Sequence, residues 1–255
     1  MSTLTSYAST AARDSAAPAA TNPGLCIFRT DTKAIEVSDG TSYQTYNSDG
    51  SFTSYPTNTK ALDFDGSADY VSVANSTSVS LTNNFSITCW VEFDSLSGAP
   101  MMLSKRESIS GHAYQFYSTT SKLAFNNGGG INYSSTTLST GTWYHVGITF
   151  ASGVVTFYLD GSSDGGFTST NTVNPTNTYE LQFGRAFNGN YLNGRLDEVA
   201  IFDTVLTSSQ ISNIYSNKLY PEMVSFWRFE DDVTDSVGSN DGTNNGATFT
   251  TDKPY

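Results

Sequence analysis

Hydrophobic and polar residues alternate along much of the chain, which is the pattern of strands that bury one face. In residues 85–93, FSITCWVEF, every second side chain is apolar, and residues 143–150 and 154–161 repeat this period of two. Apolar residues at helical spacing follow a threonine cap in residues 207–215. The pattern therefore predicts an all-β protein that carries one short helix.

Turn sequences and composition support the same prediction. An Asp-Gly turn divides residues 62–73 into two strands, a second one at residue 160 ends another strand, and a glycine-rich turn at residues 126–130 joins two more. The chain holds 16 Phe, 15 Tyr and 21 Gly residues, and 14% of its residues are charged, as in all-β domains with many turns. Its 255 residues are enough for one large sandwich with a buried core.

Two segments precede the predicted sandwich. Residues 1–23 are rich in Ala, Ser and Thr and carry no sustained apolar period, so we expect an extended arm. In residues 24–55, LCIF and AIEV flank a polar turn and a second turn precedes SYQTY, which predicts a small β-hairpin or three-strand meander. With so few apolar positions, this unit must pack on the sandwich, on copies of itself or on a larger assembly. The sandwich itself is predicted for residues 56–255.

Charge and cysteine usage exclude several kinds of partner. The chain has 24 acidic residues and 12 basic ones, and the net charge of −12 repels phosphate backbones and anionic lipid surfaces. We therefore expect no nucleic-acid partner. Without a signal-peptide pattern or a long apolar run, we also expect a soluble chain with no membrane insertion. Cys26 and Cys89 form no Cys-x-x-Cys motif or Cys/His cluster, so neither a disulfide framework nor a zinc site is indicated.

Four segments together resemble the laminin-G-like, concanavalin A-like jelly-roll family: residues 62–73, 143–150, 154–161 and 194–215. The resemblance implies a concanavalin A-like jelly-roll β-sandwich and a protein that binds sugars or other proteins. The aromatic Trp-Arg-Phe run that usually opens such a domain lies here near the C-terminus, so residues 221–255 are predicted to complete the sandwich in permuted order. A truncated second repeat is the alternative, although so short a piece cannot bury a core of its own.

Sugar binding requires exposed aromatic rings that stack on sugar faces, together with amides and charged donors that bond the hydroxyl groups. The residues that fit this chemistry are Tyr114, Tyr117, Tyr133, Trp143, His145, Arg185 and Asn188. Core packing is the alternative for the aromatic members, and His145 stands in the family's Trp-x-His position, where the ring usually packs against strands. The expected ligand of such residues is a glycan.

The family resemblance also implies a calcium site, because related jelly rolls hold calcium with Asp side chains and backbone carbonyls, the hard oxygen ligands that this ion prefers. The candidate ligands are Asp65 and Asp69 beside the first Asp-Gly turn and Asp197 on a later strand. The alternative is structural: Asp65 supplies the turn, and Asp197 bonds the backbone at a strand end.

Some glycosidases share this fold and place two or three carboxylates along one strand, so hydrolysis is a further candidate chemistry. Glu92 and Asp94 fall on one face of their strand, roughly 6 to 7 Å apart by strand rise. The third position of that pattern is Leu96, which leaves the signature incomplete. The two histidines, His112 and His145, form no metal-ligand pair, and no nucleophile elbow or phosphate-binding loop occurs. We therefore predict a protein that is not an enzyme.

The two ends of the chain suggest where the protein works. Residues 24–46 resemble the small β-unit of bacteriophage fibre and decoration proteins, and residues 227–249 resemble the endings of laminin-G-like virion proteins. The resemblance implies a virion protein that attaches to other virion proteins through residues 1–55, forms a homotrimer and presents an outward jelly roll to host-surface carbohydrate. A purely structural capsid decoration or stabilising protein is the alternative. A bacterial surface protein and a glycoside hydrolase are further hypotheses.

Overall fold

The structure is a computed structural model that describes residues 58–106, 112–173, 176–187, 189–217 and 222–255, together with the backbone of four short strands before residue 58. It divides into two compact units, Met1–Thr57 and Asn58–Tyr255. The strands of the first unit are β1 (Thr5–Tyr7), β2 (Cys26–Arg29), β3 (Ala34–Ser38) and β4 (Tyr43–Tyr46). They form one sheet in that order, in which β1 lies parallel to β2 and the other pairs are antiparallel. β1 falls within the segment predicted as an extended arm.

The second unit is a sandwich of two antiparallel sheets. Its strands are β5 (Ala61–Asp65), β6 (Tyr70–Val73), β7 (Asn84–Phe93), β8 (Met101–Arg106), β9 (His112–Thr119), β10 (Lys122–Asn126), β11 (Asn132–Tyr133), β12 (Trp143–Ala151), β13 (Val154–Leu159), β14 (Ser162–Thr168), β15 (Leu181–Phe183), β16 (Asn193–Phe202), β17 (Ser225–Trp227), β18 (Gly242–Asn245) and β19 (Thr248–Thr250), and its helix is α1 (Ser208–Asn217). The seven-stranded sheet has the order β11-β10-β9-β8-β15-β6-β18. The eight-stranded sheet has the order β14-β13-β12-β7-β16-β5-β19, with β17 also paired to β16. The predicted all-β jelly-roll sandwich is confirmed.

The core lies between the two sheets and is built from the alternating apolar residues. The predicted inward face of β7 is buried, and Phe85 stacks on Phe150 of β12 with ring centroids 5.2 Å apart. The rings of Tyr114 and Phe125, which belong to the other sheet, lie 5.9 and 6.3 Å from that of Phe85. Burying one such side chain contributes about 1.5–3 kcal/mol, so these contacts hold the sheets face to face. Burial also raises the pKa of the Cys89 thiol, which therefore behaves as a small apolar side chain.

The eight-stranded sheet is covered on its outer face as well. Helix α1 begins there with a reciprocal cap: the Thr207 hydroxyl accepts the Gln210 N–H at 3.2 Å, and the Gln210 side chain accepts the Thr207 N–H at 2.9 Å. The Tyr215 ring of α1 lies 5.7 Å from that of Trp90 and 5.8 Å from that of His145. Both faces of β7 are therefore buried.

The described residues include no helix long and apolar enough to cross a membrane.

The C-terminal segment supplies strands to both sheets. β17 pairs with β16 and β19 with β5 in the eight-stranded sheet, whereas β18 pairs with β6 in the other. The buried Trp227 indole donates to the Asn240 carbonyl at 2.9 Å. One carboxylate oxygen of Asp235 accepts three backbone N–H groups at 2.9–3.1 Å. These hydrogen bonds fix the connection between β17 and β18.

Candidate functional site

The outer face of the seven-stranded sheet carries a row of polar side chains. The strand registers place six of them opposite one another, one from each strand from β10 to β18. Their sequence neighbours Leu103 and Phe183 belong to the core, so the row faces away from it. In strand order the row is Asn126, Gln115, Ser104, Gln182, Ser72 and Thr243.

A cleft of about 710 Å³ opens on this face at Gln182. This volume lies within the roughly 300–1,000 Å³ of small-ligand sites. The cleft brings together two guanidinium groups, one carboxylate, two side-chain amides and two aromatic rings. The residues that line it are Ala74, Asn75, Arg106, Thr178, Tyr179, Glu180, Gln182, Arg185 and Phe187.

Arg185 is held at the cleft by three neighbouring side chains. Its guanidinium carbon lies 3.5 Å from the centroid of the Tyr70 ring, and its Nε donates to Gln182 Oε1 at 3.3 Å. The Glu180 carboxylate lies 3.9 Å from Nη2. A cation–π contact of this kind contributes about 0.5–1 kcal/mol and a partly exposed ion pair less than about 1 kcal/mol. Several weak contacts, rather than one strong bond, therefore set the position of this guanidinium.

Arg106, the last residue of β8, supplies the second guanidinium. Its Nη1 donates to Gln115 Oε1 at 2.8 Å, and its guanidinium carbon lies 4.9 Å from the centroid of the Phe187 ring. Burial lowers the pKa of Arg106, but an arginine stays protonated at neutral pH. The Phe187 side chain is 36% exposed. The cleft thus presents an exposed ring directly beside a cation.

Lys105 lies beneath the cleft with its side chain wholly buried. Its ammonium donates to Asn75 Oδ1 at 2.5 Å, to the Asn177 carbonyl at 3.3 Å and to the Tyr179 carbonyl. Burial lowers the pKa of Lys105 to about 8. Because these acceptors belong to the segment after β6 and the segment before β15, one side chain ties two walls of the cleft together.

The structure separates the residues that were predicted to bind sugar. Arg185 lines the cleft, whereas Asn188 lies outside the described residues. Tyr114 belongs to the core, where its hydroxyl donates to the Val79 carbonyl at 2.8 Å, so its ring cannot reach a ligand. Tyr117 faces outward but is buried in a small apolar cluster formed with Met101, Ala124 and Ala186.

The three other predicted residues lie away from the cleft. Tyr133 is 45% exposed on β11, at the edge of the seven-stranded sheet. Trp143 and His145 lie on the outer face of the eight-stranded sheet, where the Trp143 indole donates to Asp252 at 3.3 Å and the buried His145 ring lies 5.3 Å from that of Trp90. The six predicted residues that the structure describes therefore do not form one surface.

The three aspartates proposed for calcium lie at two separate places. Asp65 and Asp69 accept each other's backbone N–H at 3.1 Å, and hydrogen bonds to Asp65 lower the pKa of its carboxyl. Asp197 follows Leu196 on β16, which pairs with Leu62 near the other end of β5, so Asp197 lies about 13 Å away by strand rise. It accepts Asn58 Nδ2 at 2.6 Å, and burial raises the pKa of its carboxyl well above the ordinary value. These residues do not fit one calcium ion, and no group of three or more His, Cys, Asp or Glu in the described part of the chain is arranged to hold a metal.

The carboxylates considered for hydrolysis are bound to one arginine on the outer face of the eight-stranded sheet. Arg195 Nη1 lies 3.2 Å from Glu92 and 3.3 Å from Asp94, and its Nε lies 3.3 Å from Asp63 and 3.5 Å from Asp252. Burial raises the pKa of Glu92, whereas the four carboxylates outweigh burial and raise the pKa of Arg195. Glu92 and Asp94 thus have a structural partner and do not face each other across an open space.

Comparison with known families now identifies the fold. A model of the Concanavalin A-like lectin/glucanases superfamily, Laminin_G_3, matches residues 65–212, which is more than half of the chain. The chain belongs to this superfamily. No curated protein matches the sequence.

Solved structures share the fold of this lectin-like sandwich. A protein from Bacteroides ovatus ATCC 8483 that is proposed to bind carbohydrate has a TM-score of 0.59 at 17% identity, over 90% of this chain and 70% of that one. The heptameric SAP-like pentraxin of Limulus polyphemus gives 0.56 at 14% identity, over 77% and 96%. The CBM40 of a Ruminococcus gnavus sialidase, bound to α2,3-sialyllactose, gives 0.50 at 9% identity, over 60% and 97%.

Most residues of the cleft in this lectin-like sandwich were missed from sequence. Arg106, Gln182 and Phe187 come from separate strands and connections, and the order β8-β15-β6 that joins them does not follow the chain. One signal in the sequence pointed to Phe187. It lies two residues after Arg185, a predicted sugar-binding residue, in the same connection after Leu181–Phe183, so its ring was also a candidate for sugar binding.

Proposed function

We propose that the lectin-like sandwich binds carbohydrate in the cleft at Gln182. One observation carries this proposal: a 710 Å³ cleft brings the exposed Phe187 ring together with the Gln182 amide and the Arg185 guanidinium. Aromatic rings stack on the apolar faces of sugars, and amides and charged groups bond the hydroxyl groups. The superfamily supports the proposal because it includes lectins.

We further propose that the protein acts by binding and not by catalysis. Glycoside hydrolysis uses two carboxyl groups that flank the scissile bond. Among the described residues that line the cleft, Glu180 is the one carboxylate. The pair Glu92 and Asp94 bonds Arg195 on the opposite sheet.

A glycan array followed by titration calorimetry tests carbohydrate binding. Phe187→Ala should lower the affinity for the selected glycan by about tenfold, which corresponds to the loss of one good contact. Tyr133→Ala is the matched control, since it removes an even more exposed ring at the edge of the same sheet, and it should leave the affinity unchanged. A wild-type protein that binds no glycan, or a larger loss in Tyr133→Ala than in Phe187→Ala, would contradict the proposal.

We also propose that the protein is a component of a bacteriophage particle. Residues 1–55 would attach it to other virion proteins as a homotrimer, and the sandwich would meet host-surface glycan. The resemblance of residues 24–46 and 227–249 to virion proteins supports this proposal. Immunogold electron microscopy with an antibody to residues 61–220 should label purified particles, and mass photometry should give the mass of three chains. Unlabelled particles would contradict the virion role. If the capsid is labelled and particles that lack the protein still adsorb to host cells at an unchanged rate, a role in capsid decoration is favoured.

A further inference from the structure

Basic side chains are concentrated at the cleft although the chain as a whole is acidic. The sequence has 12 basic residues and 24 acidic ones. Arg106 and Arg185 line the cleft, and Lys105 bonds two of the segments that form its walls. Among the described lining residues Glu180 is the only acidic one, and its side chain is 47% exposed. The cleft therefore attracts anions even though the protein carries a net charge of −12.

The hydrogen bonding of Arg185 leaves donors available in the cleft. Arg195 and Arg228 lie 3.2–3.5 Å from carboxylate oxygens. Arg185 instead bonds Gln182 through Nε, and Glu180 lies 3.9 Å from Nη2, beyond hydrogen-bond distance. The four N–H groups on its two terminal nitrogens donate to no other described residue. This side chain is only 23% exposed, so unused donors of a charged group lie in a partly buried position.

We propose that the cleft selects sugars that carry a carboxylate, a chemistry that uronic acids and sialic acids share; this inference rests on the proposed binding of glycan at the same cleft. The two terminal nitrogens of a guanidinium form a planar fork that matches both oxygens of a carboxylate. Arg185 supplies that fork. Arg106, fixed by its bond to Gln115 and adjacent to Phe187, adds a second positive charge beside the ring on which the sugar stacks.

Calorimetry with pairs of ligands that differ only at the carboxyl groups tests the inference. The probes are sialyllactose and trigalacturonate, each compared with its own methyl ester, which adds one methyl group to each carboxyl group and removes its charge. Wild-type protein should bind an acid at least about tenfold more tightly than its ester, as expected when charge-assisted hydrogen bonds are lost. This preference should shrink as salt is added. The acid that binds, sialyllactose or trigalacturonate, identifies the kind of acidic sugar.

Three variants assign the preference to the cleft. Arg185→Gln should lower the affinity for the acid at least about tenfold more than the affinity for the ester, and so abolish the preference for the acid. Glu180→Gln should strengthen binding of the acid more than binding of the ester, because it removes the negative charge that lies 3.9 Å from Arg185 Nη2. Lys122→Gln, the control, removes a positive charge from the start of β10 and should change neither affinity.

The outcomes separate this inference from the proposed function. If the wild type binds acid and ester with equal affinity, the acidic preference is overturned and glycan binding stays in place. The same holds if the wild type binds only neutral glycans and Phe187→Ala lowers its affinity for them. Arg185→Gln that weakens acid and ester equally would also overturn it. Absence of binding to every probe and to the array would overturn both.

Discussion

Replacing Lys105 with methionine should change the way the stability of the sandwich depends on pH. The Lys105 ammonium is wholly buried, and burial lowers its pKa from 10.5 to about 8. Below pH 8 the folded and the unfolded chain both hold this proton, so the cost of burying the charge is present in full. Between pH 8 and 10.5 the folded chain releases the proton while the unfolded chain keeps it, so the free energy of unfolding rises with pH.

The size of this rise follows from the two pKa values. The difference between 10.5 and about 8 is worth about 3 kcal/mol once the pH exceeds both values. Of this amount, about 2 kcal/mol should have been gained at pH 9.5. The methionine variant has no titrating group at this position. The wild type should therefore gain about 2 kcal/mol relative to Lys105→Met between pH 7 and pH 9.5.

Urea denaturation followed by tryptophan fluorescence at a series of pH values measures this difference. Lys122→Met is the matched control, because it removes a lysine from the partly exposed start of β10, and it should keep the pH profile of the wild type. Parallel profiles for the wild type and Lys105→Met would refute the conclusion that a charged lysine is buried beneath the cleft.

Three further predictions concern the fold and the proposed metal. Asp235→Ala should lower the free energy of unfolding by about 3–5 kcal/mol in urea denaturation, because four backbone N–H groups at 2.9–3.1 Å lose a charged acceptor; a loss below about 1 kcal/mol would contradict this. Phe85→Ala should cost about 3–5 kcal/mol in the same assay, since Phe85 packs between the sheets, and a near-neutral effect would place it outside the core. EDTA should leave Tm unchanged, because Asp65 lies at one end of β5 whereas Asp197 lies on β16 near the other end of that strand. An increase of Tm with added calcium would show a site that this geometry does not explain.

The sequence predicted the fold better than the site, for a physical reason. Alternation along β7 shows that Phe85 and Val91 share a face, because side chains of a strand point to opposite sides in turn. The same alternation cannot show that Trp90 is buried, because the helix that covers it comes more than a hundred residues later. The cleft depends in the same way on sheet order: Arg106 and Gln182 line one cleft because β8 pairs with β15.

The most direct test of glycan binding at Gln182 is a crystal structure of the protein with the tightest-binding oligosaccharide. We expect the sugar in the cleft, with one ring stacked on Phe187 and a carboxylate or hydroxyl pair bonded by Arg185. A sugar bound elsewhere, such as at Tyr133 or on the outer face of the eight-stranded sheet, would contradict the account.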